Sequence, residues 1–101
     1  MIDSAQLPSS KKLIWPVIEA LKKSIGPTQK SVIDSRLIEI LGLSQDLVSI
    51  PHDKTRAEYQ YRSAWALSYG KKAGYLENPA RNQWALTEKG RQTASAEEIS
   101  I

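Results

Sequence analysis

The sequence contains no cysteine and only one histidine, His52. The chain therefore has no disulfide framework, no thiol nucleophile and no cysteine-ligated zinc finger. One histidine cannot hold a metal ion by itself, so we expect no metal site and no cofactor. No apolar run approaches the ~20 residues that a membrane-spanning helix needs. The N-terminus also lacks the basic-then-apolar pattern of a secretion signal. These features favour a cytoplasmic protein that does not contact a membrane.

The length and composition are those of one small globular domain. A chain of 101 residues, 41% hydrophobic and 25% charged, supports a single modest core. The pattern predicts a flexible lead-in at 1–10, one domain at 11–93, and a tail or the start of a linker at 94–101.

Positive charge is concentrated in the second half of the chain. Residues 54–91 carry eight Lys/Arg against three Asp/Glu, whereas residues 1–53 carry six of each. Such an asymmetry is typical of a surface that binds nucleic-acid phosphates. A solvated basic face without a ligand is the alternative, and charge alone does not separate the two.

The basic stretch predicts a long helix. Thr55 is the expected N-cap, with Glu58 completing a capping box, and Gly74 is the expected C-cap. Residues at helical spacing predict one buried face. They are Tyr59, Arg62 or Ser63, Ala66, Tyr69 or Gly70, and Ala73.

A β-hairpin and another helix are predicted after the long helix. Short apolar segments at 75–76 and 84–86 flank a Pro/Asn turn at 78–82. Thr87 then has the position of an N-cap for a final helix.

Two helices are predicted before the basic stretch. The first is capped by Ser9 or Ser10, carries an apolar stripe from Leu13 to Ile25, and accommodates Pro16 only within its first turn. The second opens at Thr28 or Ser31, ends at Gly42 and is followed by a turn capped by Ser44. Its predicted apolar stripe is Val32, Ile33, Leu37, Ile40 and Leu41. A strand between the two helices has only weak support. This order predicts a mostly helical α+β fold, a winged helix-turn-helix with a C-terminal β-hairpin wing.

A set of short motifs along the chain resembles a known family. The motifs are Trp15-Pro16-Val17-Ile18, Leu41-Gly42-Leu43, Tyr59 with Arg62, Trp65-Ala66, Lys71-Lys72-Ala73-Gly74, Arg81, and Trp84-Ala85-Leu86-Thr87-Glu88-Lys89-Gly90. Together they resemble the N-terminal domain of Mrr-type restriction endonucleases, from about Leu13 to Arg91. The resemblance implies a winged-helix DNA-binding domain that normally precedes a nuclease domain. Full-length enzymes of that family cut DNA that carries methylated bases.

Two positions depart from the family pattern, which usually has Leu where Gly70 stands and Gly where Asn82 stands. Gly70 removes a core side chain and costs ~1 kcal/mol of helix propensity. Asn82 still adopts a left-handed turn conformation at low cost.

The resemblance implies a DNA-binding specificity module of a restriction-type system. Its implied partners are double-stranded DNA and a nuclease domain in cis or in trans. Sensing of a methylated base and dimerisation are left open. No Asp…Glu/Asp-x-Lys motif of a nuclease is visible in predicted strands, so we expect no enzymatic activity. The alternative is a winged-helix module for protein interaction or dimerisation.

Nine residues are the candidate DNA contacts: Lys54, Arg56, Tyr61, Arg62, Ser63, Ser68, Lys71, Arg81 and Asn82. The short side chains of Ser63 and Ser68 would let the helix backbone approach base edges. Arg81 and Asn82, at the wing tip, would reach the minor groove or phosphates.

Several of these residues have structural alternatives. Arg62 either clamps a phosphate or pairs with Glu39 or Asp34, and Tyr61 either stacks on a base or packs against the first helix. Trp65 and Trp84 are interpreted as core aromatics beneath the wing. A flipped-base pocket built from Trp65 or Tyr61 is a further alternative. His52 is interpreted as a loop residue without a role.

Overall fold

The computed structural model describes residues 3–100 as an α+β fold, in which five α-helices pack with a three-stranded antiparallel sheet. The helices are α1 (Ile14–Lys22), α2 (Lys30–Leu41), α3 (Gln45–Val48), α4 (Glu58–Lys72) and α5 (Glu88–Gln92). The strands are β1 (Thr28–Gln29), β2 (Leu76–Ala80) and β3 (Gln83–Leu86). Short 3-10 helices lie at Ser4–Gln6 and Ala96–Glu98.

Helix α1 lies at the centre of the core. Ile14, Val17 and Ile18 are fully buried. Pro16 is the third residue of α1, so its missing N–H falls within the first turn, where it is not needed. The extension of the apolar stripe to Ile25 is wrong, because α1 ends at Lys22 and Ile25 is 100% exposed. Ser9 and Ser10 were predicted as N-caps of this helix, but the N-cap of α1 is Leu13.

Helix α2 begins at Lys30, later than Thr28 and one residue before Ser31. Its buried side is narrower than predicted, because Ile33 and Leu37 are fully buried whereas Val32 is 39% exposed. The helix ends, as predicted, at Gly42, whose φ of 62° favours glycine. The predicted short turn is α3, where the side chain of Ser44 accepts a hydrogen bond from the N–H of Leu47.

The sheet has the strand order β1-β3-β2. The predicted hairpin is confirmed by the pairing of Leu76 with Leu86 across β2 and β3, and its turn contains Asn82 with φ 60°. Strand β1, which had only weak support in the sequence, pairs Thr28 with Trp84 on the other side of β3. The hairpin is thereby attached to the connection between α1 and α2.

Both ends of α4 are fixed by local hydrogen bonds. The predicted capping box of Thr55 and Glu58 is wrong: α4 begins at Glu58, and the preceding Ala57 N–H donates to the side chain of Gln60 at 3.1 Å. At the other end, Gly74 has a φ of 92° and the next N–H, that of Tyr75, donates to a carbonyl in the last turn of α4. This is a Schellman-type end, and it turns the chain directly into β2.

Gly70 allows β2 to pack closely against α4. A Cβ atom at this position would lie 2.8 Å from Cδ1 of Leu76, whose side chain is 2% exposed. The space that a side chain at position 70 would occupy is therefore filled from the hairpin.

Described residues near both ends of the chain contact the domain. Leu7 is 5% exposed, and Ile99 packs against the core. The hydroxyl of Tyr75 donates to the carbonyl of Glu98 at 3.3 Å and accepts from the N–H of Ser100 at 3.0 Å. The domain limits at 11–93 stay a prediction, but residues on both sides of them contact the fold.

Candidate nucleic-acid interface

Helix α4 has two faces of different character. Its buried face includes Ser63, Ala66 and Gly70, which pack towards the core. The opposite stripe is formed by Tyr61, Trp65, Ser68 and Lys72, at the i, i+4, i+7, i+11 spacing of one helix side. We call these four residues the outer face of α4. Trp65 is 45% exposed, Ser68 and Lys72 are exposed, and Tyr61 is partly buried.

Ser63 belongs to the buried face, so its predicted exposure is wrong. Its side chain is fully buried, and its hydroxyl donates to Oδ1 of Asp34 at 2.7 Å. Lys30 pairs with the same carboxylate at 2.7 Å. Burial raises the pKa of Asp34, and the nearby Lys30 and Ser63 offset this increase only in part. Ser63 therefore connects α4 to α2 and is not available to a ligand.

Arg62 is occupied by structural contacts. Its Nε donates to Oε2 of Glu58 at 2.7 Å, and a terminal nitrogen donates to the carbonyl oxygens of Leu7 and Pro8 at 3.0 and 3.3 Å. Arg62 is therefore a structural residue, as one of the two alternatives had it. The predicted partners, Glu39 and Asp34, are wrong, because Arg62 pairs with Glu58. Arg62 attaches the N-terminal lead-in to α4.

The loop at 51–57 presents two cations beside the start of α4. It is closed by a hydrogen bond from the N–H of His52 to the carbonyl of Arg56 at 2.9 Å. Within it, the carboxylate of Asp53 accepts from the N–H groups of Thr55 and Arg56 at 2.9 and 2.8 Å. Lys54 and Arg56 are both exposed. The ion pair of Arg56 with Asp53, at 3.2 Å, is exposed and therefore weak, so it does not prevent Arg56 from reaching a ligand.

His52 and Tyr61 form a stacked pair at one end of the outer face. Their ring centroids are 3.5 Å apart and their planes differ by 11°. His52 also lies 2.9 Å from Oε1 of Glu58, through its Nδ1. Burial raises the pKa of Glu58, but hydrogen bonds from Arg62 and His52 outweigh this effect and hold the pKa below its usual range. His52 is a loop residue, as interpreted, and the contacts that the structure shows for it are with Tyr61 and Glu58. Tyr61 packs against His52.

Two shallow grooves meet at Arg56. The first, the hairpin groove, is lined by Gln29, Lys30, Ser31, Asp34, Arg56, Gln60 and Asn82. The second, the α4 groove, is lined by Arg56, Tyr61, Ala64, Trp65 and Ser68. Because Arg56 lines both grooves, the hairpin tip, the start of α2 and the outer face of α4 border one continuous surface.

The remaining candidates are placed at the edges of this surface or on α4. Lys71, Arg81 and Asn82 are all exposed, as predicted. Trp84 is half-buried against the core, in agreement with its interpretation as a core aromatic. The same interpretation of Trp65 is wrong, because its indole lies on the outer face.

Two residues of the outer face, Trp65 and Lys72, were not among the nine candidate contacts, and Trp65 was considered for binding only as part of a flipped-base pocket. Their helical phase was the signal that could have found them. At about 100° per residue, Lys72 and Ser68 lie within about 40° of each other, and Trp65 lies on the same side of α4.

No helix within residues 3–100 is long and apolar enough to cross a bilayer. Comparisons with curated proteins and with solved structures gave no match. The model of the Mrr N-terminal domain matches residues 11–96, and no nuclease domain was found in the chain. Because this match covers most of the 101 residues, the chain belongs to the Mrr N-terminal domain family.

Proposed function

We propose that this chain is a winged-helix DNA-binding specificity module of a restriction-type system. Membership in the Mrr N-terminal domain family supports the link to restriction. In this proposal the module works in the cytoplasm, binds duplex DNA without a cofactor and has no nuclease activity of its own. A nuclease domain in cis or in trans would supply the cleavage.

The observation that carries the proposal is the continuous surface formed by the hairpin groove and the α4 groove. Arg56 lines both grooves, so the hairpin tip at Asn82 and the outer face at Ser68 border the same surface. In helix-turn-helix proteins one helix enters the major groove while neighbouring elements contact the backbone. Helix α4 and the β2–β3 hairpin are suited to these two roles.

The side chains of α4 allow a close approach to DNA. Ala64 and Ser68 are short and line the α4 groove, so the helix backbone can come near base edges. Exposed cations lie in the loop at Lys54 and Arg56, on α4 at Lys71 and Lys72, and at the hairpin tip at Arg81. These cations supply the phosphate contacts that position a protein on the duplex without specifying sequence.

A salt titration of the purified chain with a short duplex tests the proposal. With few phosphate contacts, the chain should bind with a Kd of about 10⁻⁴ to 10⁻⁶ M unless its preferred site is present. The slope of log K against log salt should approach about −0.9 for each cation that contacts a phosphate. Salt-insensitive binding, or no binding at low salt, contradicts the proposal.

Two further assays define the specificity and the chemistry. Unmodified, adenine-methylated and cytosine-methylated duplexes at one salt concentration show whether a methylated base is sensed. Incubation with Mg²⁺ or Mn²⁺ should leave plasmid DNA intact. Reproducible metal-dependent nicking by the chain would show that it carries a nuclease site.

A second candidate function is a protein-interaction or dimerisation module. It is favoured by the exposure of Trp65, since tryptophan is a frequent anchor of protein interfaces. Analytical ultracentrifugation separates the two functions: a dimer that dissociates on Trp65→Ala, in a chain that does not bind DNA, supports this second function.

A further inference from the structure

We propose that Trp65 contacts the C5-methyl group of pyrimidines in the major groove and makes the chain prefer duplexes that carry this methyl group. This inference rests on the proposed DNA-binding function and assigns a ligand group to the α4 groove. Thymine and 5-methylcytosine both carry the methyl group, whereas uracil and cytosine do not. Trp65 thereby becomes a residue that determines specificity.

The first support is the exposure and orientation of the indole. Trp65 is 45% exposed although it is a large apolar side chain, and it lies at the middle of the outer face. Its ring is supported on one side by Tyr69, one turn further along α4, with centroids 5.7 Å apart and planes inclined by 32°. A supported aromatic ring loses little conformational entropy when it contacts a ligand.

The second support is the shape of the α4 groove. It is a shallow groove of about 230 Å³, and two of its lining residues, Ala64 and Ser68, have short side chains. An extruded base would need a snug pocket that stacks on it and bonds its Watson–Crick edge. A methyl group on the floor of the major groove needs only one apolar surface against it. The open geometry therefore favours a methyl contact over a flipped base.

The third support is the chemistry of the groove lining. Adenine is usually read by Asn or Gln, and the cytosine amino group by Asp or Glu. None of these residue types is among the described residues that line the α4 groove. The lining offers aromatic carbon, a methyl group from Ala64 and a hydroxyl from Ser68, with Arg56 at the edge. The apolar part of this surface fits the C5-methyl group.

Charge complementarity favours DNA as the occupant of this surface. Trp65 lies between two exposed cations, with Arg56 beside it in the lining of the α4 groove and Lys72 further along the outer face. A partner that covers Trp65 must therefore also be acidic along the length of α4. The major groove of a duplex, bordered by two rows of phosphates, has this distribution of charge.

The experiment uses the full chain and three duplexes of one sequence. The first duplex is unmodified, the second has uracil in place of every thymine, and the third has 5-methylcytosine in place of every cytosine. Binding is measured by fluorescence anisotropy for the parent, for Trp65→Ala and for Ile25→Ala. Ile25 is a fully exposed apolar residue outside α4, so its replacement controls for the loss of an exposed apolar side chain.

The parent and Ile25→Ala should bind the uracil duplex about fourfold more weakly for each methyl group lost from the contact, the factor that corresponds to ~0.8 kcal/mol for one buried methyl. They should bind the 5-methylcytosine duplex more tightly than the unmodified one. Trp65→Ala should bind all three duplexes alike. Its salt slope should equal that of the parent, because an indole releases no counterions.

Three outcomes overturn the assignment while leaving the DNA-binding function in place. In the first, the parent does not discriminate among the duplexes. In the second, Trp65→Ala still discriminates among them. In the third, Trp65→Ala alters the sedimentation of the chain but leaves its duplex binding unchanged. A preference for N6-methyladenine in a fourth duplex, without any response to C5-methyl groups, also overturns it. Absence of DNA binding by the parent at low salt contradicts the proposed function itself.

Discussion

Two serines of α4, five residues apart, have opposite surroundings. Ser63 is fully buried and donates to the Asp34 carboxylate at 2.7 Å, whereas Ser68 is exposed and borders the α4 groove. The residue type is the same, so the difference comes from helical phase alone. One face of α4 packs against α1 and β2 and is hydrogen-bonded to Asp34 of α2, and the other is free to meet a ligand. Stability and binding should therefore be separable by substitutions on the same helix.

The two faces also differ in how their polar groups are satisfied. On the buried face, the carboxylate of Asp34 receives donors from Lys30 and Ser63 inside the fold. On the outer face, Ser68 and Lys72 are left to solvent. Removing a donor from the buried side leaves a charged acceptor short of a partner, which is costly. Removing a polar group from the outer face costs the fold almost nothing.

The largest effect is expected for Ser63→Glu. A second carboxylate would be buried beside Asp34, and an unpaired buried charge costs more than about 4 kcal/mol, a large part of the stability of a small domain. We expect a chain that does not melt cooperatively by circular dichroism. Ser63→Ala, which only removes a donor, should reduce the free energy of unfolding by about 1–3 kcal/mol. A cooperative Ser63→Glu variant with parental stability would show that the carboxylate of Asp34 is not held as described.

The largest effect on binding is expected for Ser68→Glu. The new carboxylate would face phosphates and base edges, and like charges at an interface cost several kcal/mol. Duplex binding should be lost, while the free energy of unfolding changes by no more than about 0.5 kcal/mol. Ser68→Gln, of the same size but neutral, is the matched control and should retain most of the binding. If Ser68→Glu binds like the parent and still melts cooperatively, α4 does not enter the groove of DNA.

The contrast between the faces also shows how far the sequence determines the interface. The phase of α4 was predictable because Tyr59 and Ala66 recur at helical spacing, and this phase placed Ser68 correctly. Trp65 was misplaced because tryptophan is usually buried, and this tendency was given more weight than its position on the helix. The contacts of Arg62 could not be predicted, since its carbonyl partners at Leu7 and Pro8 lie 55 and 54 positions away in the sequence.

Local competition explains the error at the start of α4. Thr55 and Glu58 have the spacing of a capping box, but the carboxylate of Asp53 accepts from the N–H of Thr55 and closes a turn. The helix therefore begins only after the loop at 51–57. Similarly, β1 has two residues and exists through its pairing with β3, so no local pattern predicts it.

A smaller effect is expected for Lys71→Ala and Arg81→Ala, which test the edges of the surface. Each variant should lose one phosphate contact, weaken binding similarly for all sequences and make the salt slope shallower by about one unit. Lys23→Ala, an exposed lysine just after α1, is the matched control and should leave the slope unchanged. An unchanged slope in Arg81→Ala would show that the hairpin tip does not reach the DNA backbone.

The smallest effect is expected from protonation of Asp53, which shapes the loop that presents Arg56. The N–H of Thr55, followed by the donors of Arg56, lowers the pKa of Asp53 from 3.8 to about 2. Because the folded pKa is lower than the unfolded value, the hydrogen bonds of the loop stabilise it fully above pH 3.8 and are lost as the pH falls through about 2. The amide resonances of Thr55 and Arg56 should therefore stay constant from pH 8 to pH 5 and shift with a midpoint near 2.

In Asp53→Asn the shift should disappear, because an amide does not titrate. Amides in the middle of α4 report whether the fold itself persists at the same pH. A midpoint near 4 with α4 intact would mean that Asp53 does not accept these hydrogen bonds, and that Arg56 is presented to the two grooves by something other than this turn.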